Sequence, residues 1–317
     1  MINYKTSIEA AAKRSRPHIR HTPLEHSPYL SSLAEADVFL KLDNIQKTGS
    51  FKFRGAISKI TSLTDKEKSN GVVTASTGNH GAACSLAMSE LGIEGKIIVP
   101  KNVHKNKIEN ILNLGGEVEY YGDDCIHAEE RAQEISKTTG ATYISPYNDE
   151  AIVFGQGTLG MEISQDLKNV DAIFVSVGGG GLISGVGGYL KSVNRSIQVH
   201  GVSPKNSCVM YQSLNTGKQL DLPSKPTLSD GTAGGVEFGS ITFEMCKEIV
   251  DDFTVVSEDE IAKGIHIGLE KNHQLIEGAA GAAIAGFINQ KEKFKGQTVV
   301  LVMCGGNISS AVLKSIL

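Results

Sequence analysis

No apolar run in this sequence of 317 residues is long enough to cross a bilayer, which excludes a spanning helix. The segment Met1 to Arg20 is polar and amphipathic and lacks the apolar stretch of a signal peptide, so export is not expected. Cysteines are few and odd in number (Cys84, Cys125, Cys208, Cys246 and Cys304), and none forms a CxxC pair. A disulfide framework or zinc knuckle is therefore not expected, and a reducing cytoplasm fits better. An excess of basic charge is also missing. Lysine and arginine number 31 against 35 acidic residues, a formal net charge of −4, leaving no footprint for nucleic acid or an anionic membrane. Short-period repeats and low-complexity tracts are absent.

Hydrophobic residues make up 40% and charged residues 21% of the chain, ordinary values that allow a sizeable core. At about 150 residues per domain, the length points to two domains. Short β-rich apolar runs predict strands at Val38–Leu42, Gly71–Ala75, Lys96–Val99, Glu117–Tyr121, Tyr143–Ser145, Ala172–Val177, Gln198–Val202, Phe253–Val256 and Thr298–Met303. Between them, helical periodicity runs through Asn79–Leu91, Lys105–Leu114, Cys125–Thr138, Phe154–Leu167 and Glu277–Gln290. Ser257 followed by Glu260 predicts a capping box, and Gly115 after Leu114 a helix stop. This alternation predicts an α/β fold, parallel sheets with helices on both faces. The polar, proline-containing stretch Gly217–Gly231 reads as a surface connection. No linker separates two halves, so a two-domain chain passes between its domains more than once.

The strand Ala172–Val177 runs into Gly178-Gly179-Gly180-Gly181 and then a helical pattern from Leu182. Glycines at a strand-to-helix turn let backbone N–H groups converge on an anion, and the helix dipole favours it. The plainer alternative is a tight turn. A Walker loop needs a Gly-Lys-Ser/Thr ending, and none follows. The GxGxxG pattern fails as well, because its final position falls on Ile183 or Ser184. From Ala172 to Leu220 there is no Asp or Glu to hold a nucleotide ribose. A single phosphate is supported better than a dinucleotide.

The stretch Thr48-Gly49-Ser50-Phe51-Lys52-Phe53-Arg54-Gly55-Ala56 places a lysine between aromatic and small residues. Desolvation there lowers an amine's pKa and makes it nucleophilic toward an aldehyde. Ser50 to Ala56 resembles the cofactor-lysine motif of fold-type II pyridoxal-phosphate enzymes. Ser76-Thr77-Gly78-Asn79-His80 is similar to that family's asparagine loop, Gly178–Gly181 to its phosphate loop, and Cys304-Gly305-Gly306-Asn307 to its pyridine-end motif. Gly155-Gln156-Gly157-Thr158 and Asp230-Gly231 follow in the same order. The resemblance runs from Arg20 to the C-terminus. It is strongest to the threonine/serine dehydratases, with serine racemase and the hydroxyectoine-utilisation dehydratases nearby.

The resemblance implies a two-domain, tryptophan synthase β-like fold of twisted, mostly parallel sheets. Residues 1–47 and 149–317 would form the large cofactor-binding domain and 48–148 the small one. It implies pyridoxal 5'-phosphate as cofactor, with Lys52 as Schiff-base lysine and carrier of the α-proton. Phe51 would pack on the ring, Asn79 bond its O3' oxygen, Gly178, Gly179, Gly180 and Gly181 hold the phosphate, and Cys304 sit beside the pyridine nitrogen. Ser76, Thr77, Gly78, Asn79, His80, Gln156 and Gly231 would surround the substrate. Thr77 carries a hydroxyl where a racemase would need an acid, so it joins Lys52 as a catalytic candidate; the plainer alternative is that it lines the pocket. The implied activity is dehydration and deamination of L-threonine or L-serine by a homodimer or homotetramer. Racemisation, or dehydration of another β-hydroxy amino acid, is the alternative. A non-catalytic binding module is the reading from a different class. Relatives that bind a divalent cation do so with acids after the Gln198–Val202 strand. Ser203 to Val209 holds no Asp or Glu, so no divalent metal is expected there.

Overall fold

The computed structural model of the chain describes residues 2–102 and 105–317, with the backbone alone at 105–107. Among these residues ten strands form two sheets: β1 (Leu24–His26), β2 (Asp37–Leu42), β3 (Val72–Ala75), β4 (Gly95–Val99), β5 (Glu117–Tyr120), β6 (Thr142–Tyr143), β7 (Ala172–Ser176), β8 (Gln198–Pro204), β9 (Asp252–Val256) and β10 (Thr298–Met303). The six-stranded sheet has the order β1-β2-β10-β7-β8-β9 and the four-stranded sheet β5-β4-β3-β6. All pairings are parallel except β1 with β2. Parallel strands need cover on both faces, and β7 is buried along its whole length. The expected α/β class is the one observed.

Every expected strand is present within two residues at either end. β1 escaped notice because it is three residues long, mostly exposed, and lies at a sheet edge, where no alternation of apolar and polar residues is imposed. The helix Asn79–Leu91 has the expected bounds, and the Ser257–Glu260 capping box forms at the head of Glu258–Asn272. The expected Phe154–Leu167 helix begins earlier, at Glu150, because the Asp149 side chain accepts from the amides of Ala151 and Ile152.

Each sheet has its own apolar core. Phe174 meets Phe287 and Phe294 edge-on in the core of the six-stranded sheet. Phe53, Ile57, Ile97, Val99 and Ile144 pack beneath the other. Between the two lies a buried ion network around Arg54. Its guanidinium donates to both oxygens of Asp43 at 2.7 and 2.8 Å and to both oxygens of Glu162 at 2.6 and 2.9 Å. Thr158 Oγ1 at 3.2 Å and Thr22 Oγ1 at 3.3 Å complete its shell. Lys41 Nζ lies 2.8 Å from Glu162 and donates to the Thr22 carbonyl at 2.7 Å. Lys41 also pairs with the less buried Asp166, at 3.4 Å. Burial alone would raise the Glu162 carboxyl, but Arg54 and Lys41 outweigh it and hold Glu162 below the usual range.

Removing one partner strands the opposite charges without water. Arg54→Met should therefore lose about 3–5 kcal/mol of unfolding free energy. Denaturant unfolding of the purified variant measures this, and a loss below about 1 kcal/mol would show that the network contributes little.

Candidate active site

A cleft of about 640 Å³ opens where β3, β7 and β10 end. Crevices at the carboxyl ends of parallel strands are the usual ligand sites of α/β sheets. Phe51, Lys52, Ser76, Thr77, Gly78, Asn79, His80, Gly178, Gly179, Gly180, Gly181, Gly231 and Cys304 all line it.

Lys52 is the first residue of the helix Lys52–Ser62. The backbone just before it is tied to the end of β10. Phe51 N donates to the Cys304 carbonyl at 2.9 Å, and Gly306 N to the Gly49 carbonyl at 2.9 Å. Gly49 has φ +72°, and a β-carbon there would come within 2.6 Å of Asn307 Oδ1, so glycine is required twice over. Lys52 Nζ donates to the Pro146 carbonyl at 2.9 Å and lies 5.2 Å from the centre of the Phe51 ring. Desolvation lowers the amine to about 8, with Cys84, Cys304 and Glu277 pulling the other way.

The loop 178–181 caps the helix Gly181–Val193 with Gly180 at φ +84°, and no side chain caps that helix. Its first amides therefore have no side-chain acceptor, at a cleft lined by Gly181 and Leu182. The protein itself also demands these glycines. A β-carbon at Gly179 would lie 2.3 Å from the Tyr147 ring, and one at Gly178 2.8 Å from the Thr232 carbonyl. The tight-turn reading is therefore met by the protein's own packing, which leaves the anion reading open beside it. An uncapped helix N-terminus and a neutralisable amine in one cleft fit a phosphorylated aldehyde.

In the asparagine loop, Gly78 N donates to Ser76 Oγ at 3.2 Å. Asn79 starts the next helix, and its Nδ2 donates to both oxygens of Glu277, at 3.0 and 3.1 Å. The His80 ring reaches the cleft, but its Nε2 is engaged 3.0 Å from the Ile144 carbonyl. Burial and nearby Lys52 push His80 down to about 3, so the ring is neutral. Burial also raises the Cys304 thiol well above its ordinary value, leaving a neutral group.

Gln156 is not brought into the cleft. It lies on the helix Glu150–Asp166, 1% exposed, where that helix crosses Lys52–Ser62. A β-carbon on Gly55 would fall 2.3 Å from its Nε2, so the glycine admits the amide between the helices. Sequence reasoning missed Glu277, which lines the cleft at 4% exposure. Burial pushes its carboxyl up to about 7 against the donation from Asn79. The available signal was an acid heading an otherwise apolar Ala/Gly helix, Gly278–Gln290. Asn307 lay inside a recognised motif without a role; its Nδ2 donates to Asn79 Oδ1 at 2.6 Å. Among the described residues, no group of three or more His, Cys, Asp or Glu is placed to hold a metal ion. In the carboxylate-free segment that begins at the end of β8, Ser203 Oγ donates to the Val177 carbonyl at 2.7 Å.

An amine attacks an aldehyde only when unprotonated. Uptake of pyridoxal phosphate by the apo-protein should therefore slow as pH falls below about 8. Borohydride should then fix the cofactor to the peptide containing Lys52. Labelling of any other lysine would refute the assignment.

A family profile described as pyridoxal-phosphate dependent enzyme matches residues 15–305. The chain is 40% identical over 310 residues to L-threonine ammonia-lyase of Thermotoga maritima, spanning 98% of this chain and 77% of that protein. It is 38% identical over 303 residues to the catabolic L-threonine dehydratase TdcB of Escherichia coli, spanning 95% of this chain and 92% of that one. The structure of maize serine racemase superposes with a TM-score of 0.93 at 31% identity, covering 98% of this chain and 95% of that one. With its lysine, uncapped helix and asparagine loop gathered in one cleft, the chain belongs to the family of pyridoxal-phosphate dependent enzymes.

Proposed function

We propose that this enzyme dehydrates and deaminates L-threonine or L-serine, giving 2-oxobutanoate or pyruvate and one ammonia. The observation that carries the reading is the pair formed by the easily neutralised Lys52 amine and the neutral Cys304 thiol in one cleft. It agrees with the names of the relatives, an L-threonine ammonia-lyase and an L-threonine dehydratase. When bound, pyridoxal phosphate supplies the electron sink that makes the α-proton of an amino acid removable.

The chain's residues select the bond that breaks. The amides at the head of Gly181–Val193 would hold the phosphate, and Phe51 would pack on the ring. Ser76, Thr77 and the amides of Gly78 and Asn79 bind the substrate carboxylate. Lys52 Nζ takes the α-proton. A neutral thiol at position 304 would not keep the pyridine nitrogen protonated, which would favour prompt loss of the β-hydroxyl. Gln156, enclosed between helices, has no part in this scheme. His80, neutral and held by Ile144, shapes the pocket and gives up no proton. We take residues 1–47 with 149–317 as the large unit and 48–148 as the small one. We also infer a homodimer or homotetramer, which light scattering tests. Among the described residues no helix is long and apolar enough to cross a membrane, and a cytoplasmic location is inferred with the function.

One feature favours a second reading, serine racemisation. Thr77 lines the cleft with a hydroxyl, and maize serine racemase is a structural neighbour. Branching at Cβ restricts its rotamers. Given L-serine and L-threonine, wild type and Thr77→Ala should both release mainly the 2-oxo acid. D-serine forming faster than pyruvate in the wild type would replace the dehydratase reading with the racemase one.

Turnover should also survive exhaustive EDTA treatment, since Ser203 to Val209 supplies no carboxylate. A large, saturable gain on adding Mg²⁺ or Ca²⁺ would overturn this.

A further inference from the structure

Glu277 occupies the N-cap of Gly278–Gln290, yet its side chain does not cap that helix. It turns instead toward two other groups. Besides Asn79 Nδ2, its Oε2 accepts from Asn307 N at 3.1 Å. Its own amide donates to the Gly305 carbonyl at 3.0 Å. The slot is cut to fit: a β-carbon on Gly305 would sit 2.5 Å from Glu277 Oε1, and one on Gly231 3.3 Å away. The pyridine-end motif thus makes room for this carboxylate.

The two ends of a carboxamide have the same shape and opposite polarity. Thr48 supplies only a carbonyl oxygen, to which Asn307 Nδ2 donates at 2.9 Å. That contact sets Asn307 with its donor end toward Asn79. Asn79 must then present Oδ1 to Asn307 and Nδ2 to the acceptor at its other end, which is Glu277. Asn79 Nδ2 and Asn307 N both donate to the Glu277 oxygens, which act there as acceptors, so both constraints select the same orientation. The two Glu277 oxygens share one Nδ2 hydrogen and leave the second unspent.

We propose that Glu277 is a positioning residue that locks the Asn79 carboxamide with its amide donor available to the cofactor, as the last member of a polarity relay running Thr48–Asn307–Asn79–Glu277. The proposal rests on the cofactor placement given under Proposed function. A glutamine at 277 has the same shape but brings its own donor, so Asn79 keeps only the Asn307 half of its lock. Charge-assisted hydrogen bonds and the positive end of a helix offset the cost of burying the acid.

The test compares Glu277→Gln, Glu277→Asp and Asn307→Leu with wild type. Apo-protein is titrated with pyridoxal phosphate, the visible absorption of the holoenzyme is recorded without substrate, and kcat and KM are measured separately. Glu277→Gln should keep its thermal midpoint, bind the cofactor roughly tenfold more weakly, and show a shifted or split visible band. Its kcat should fall more than its KM changes. Glu277→Asp, which keeps a pure acceptor, should restore the band. Asn307→Leu should reproduce the altered band, and it carries the test if Glu277→Gln does not fold. A wild-type band and affinity in Glu277→Gln, or a band in Glu277→Asp as altered as in Glu277→Gln, overturns the proposal. Titration and absorption involve no substrate, so this outcome is separate from the identity of the amino acid turned over.

Discussion

The arrangement depends first on the doubly bidentate Arg54. A guanidinium is the one side chain whose planar fork of five donors can clasp two carboxylates and two hydroxyls at once. Arg54 sits two residues after Lys52 on the same helix, so its embrace by Asp43 and Glu162 fixes where that helix begins. A lysine there would satisfy one carboxylate and leave the other wanting donors. Misplacement of a reacting amine by an ångström is enough to cost a large share of rate, and Arg54 guards against it from the far side of the helix.

Within the cleft, desolvation is the common cause of each unusual protonation state. It lowers Lys52, raises Glu277 and Cys304, and empties His80 of its proton. The first three of these shifts carry their groups toward the uncharged form near neutrality, and His80 simply stays there. Burial in the cleft walls thus leaves an easily neutralised amine and a thiol without charge.

Much of this was legible in the sequence because it is local. Strand periodicity, the 178–181 glycines after a buried strand, and the Lys52 motif each occupy a handful of consecutive residues. What escaped notice is set by contacts across the chain. Gln156 was grouped with the substrate residues by motif order, whereas its burial comes from a helix crossing opposite Gly55. Glu277 heads an Ala/Gly-rich helix and reads as an ordinary N-terminal acid until the fold sets it against Asn79 and Asn307. β1 left no pattern because an exposed three-residue edge strand needs none.

The backbone bonds joining residues 49–51 to 304–306 bear on how the enzyme comes into being. Their two sides lie at opposite ends of the chain, so the link closes a loop spanning most of its length. Such contacts form late, after local helices and hairpins. On the ribosome, the segment before Lys52 waits for β10 to emerge, and β7, which also pairs with β10, waits with it. The cleft at the ends of β3, β7 and β10 is therefore completed only once the last strand of the six-stranded sheet has taken its place.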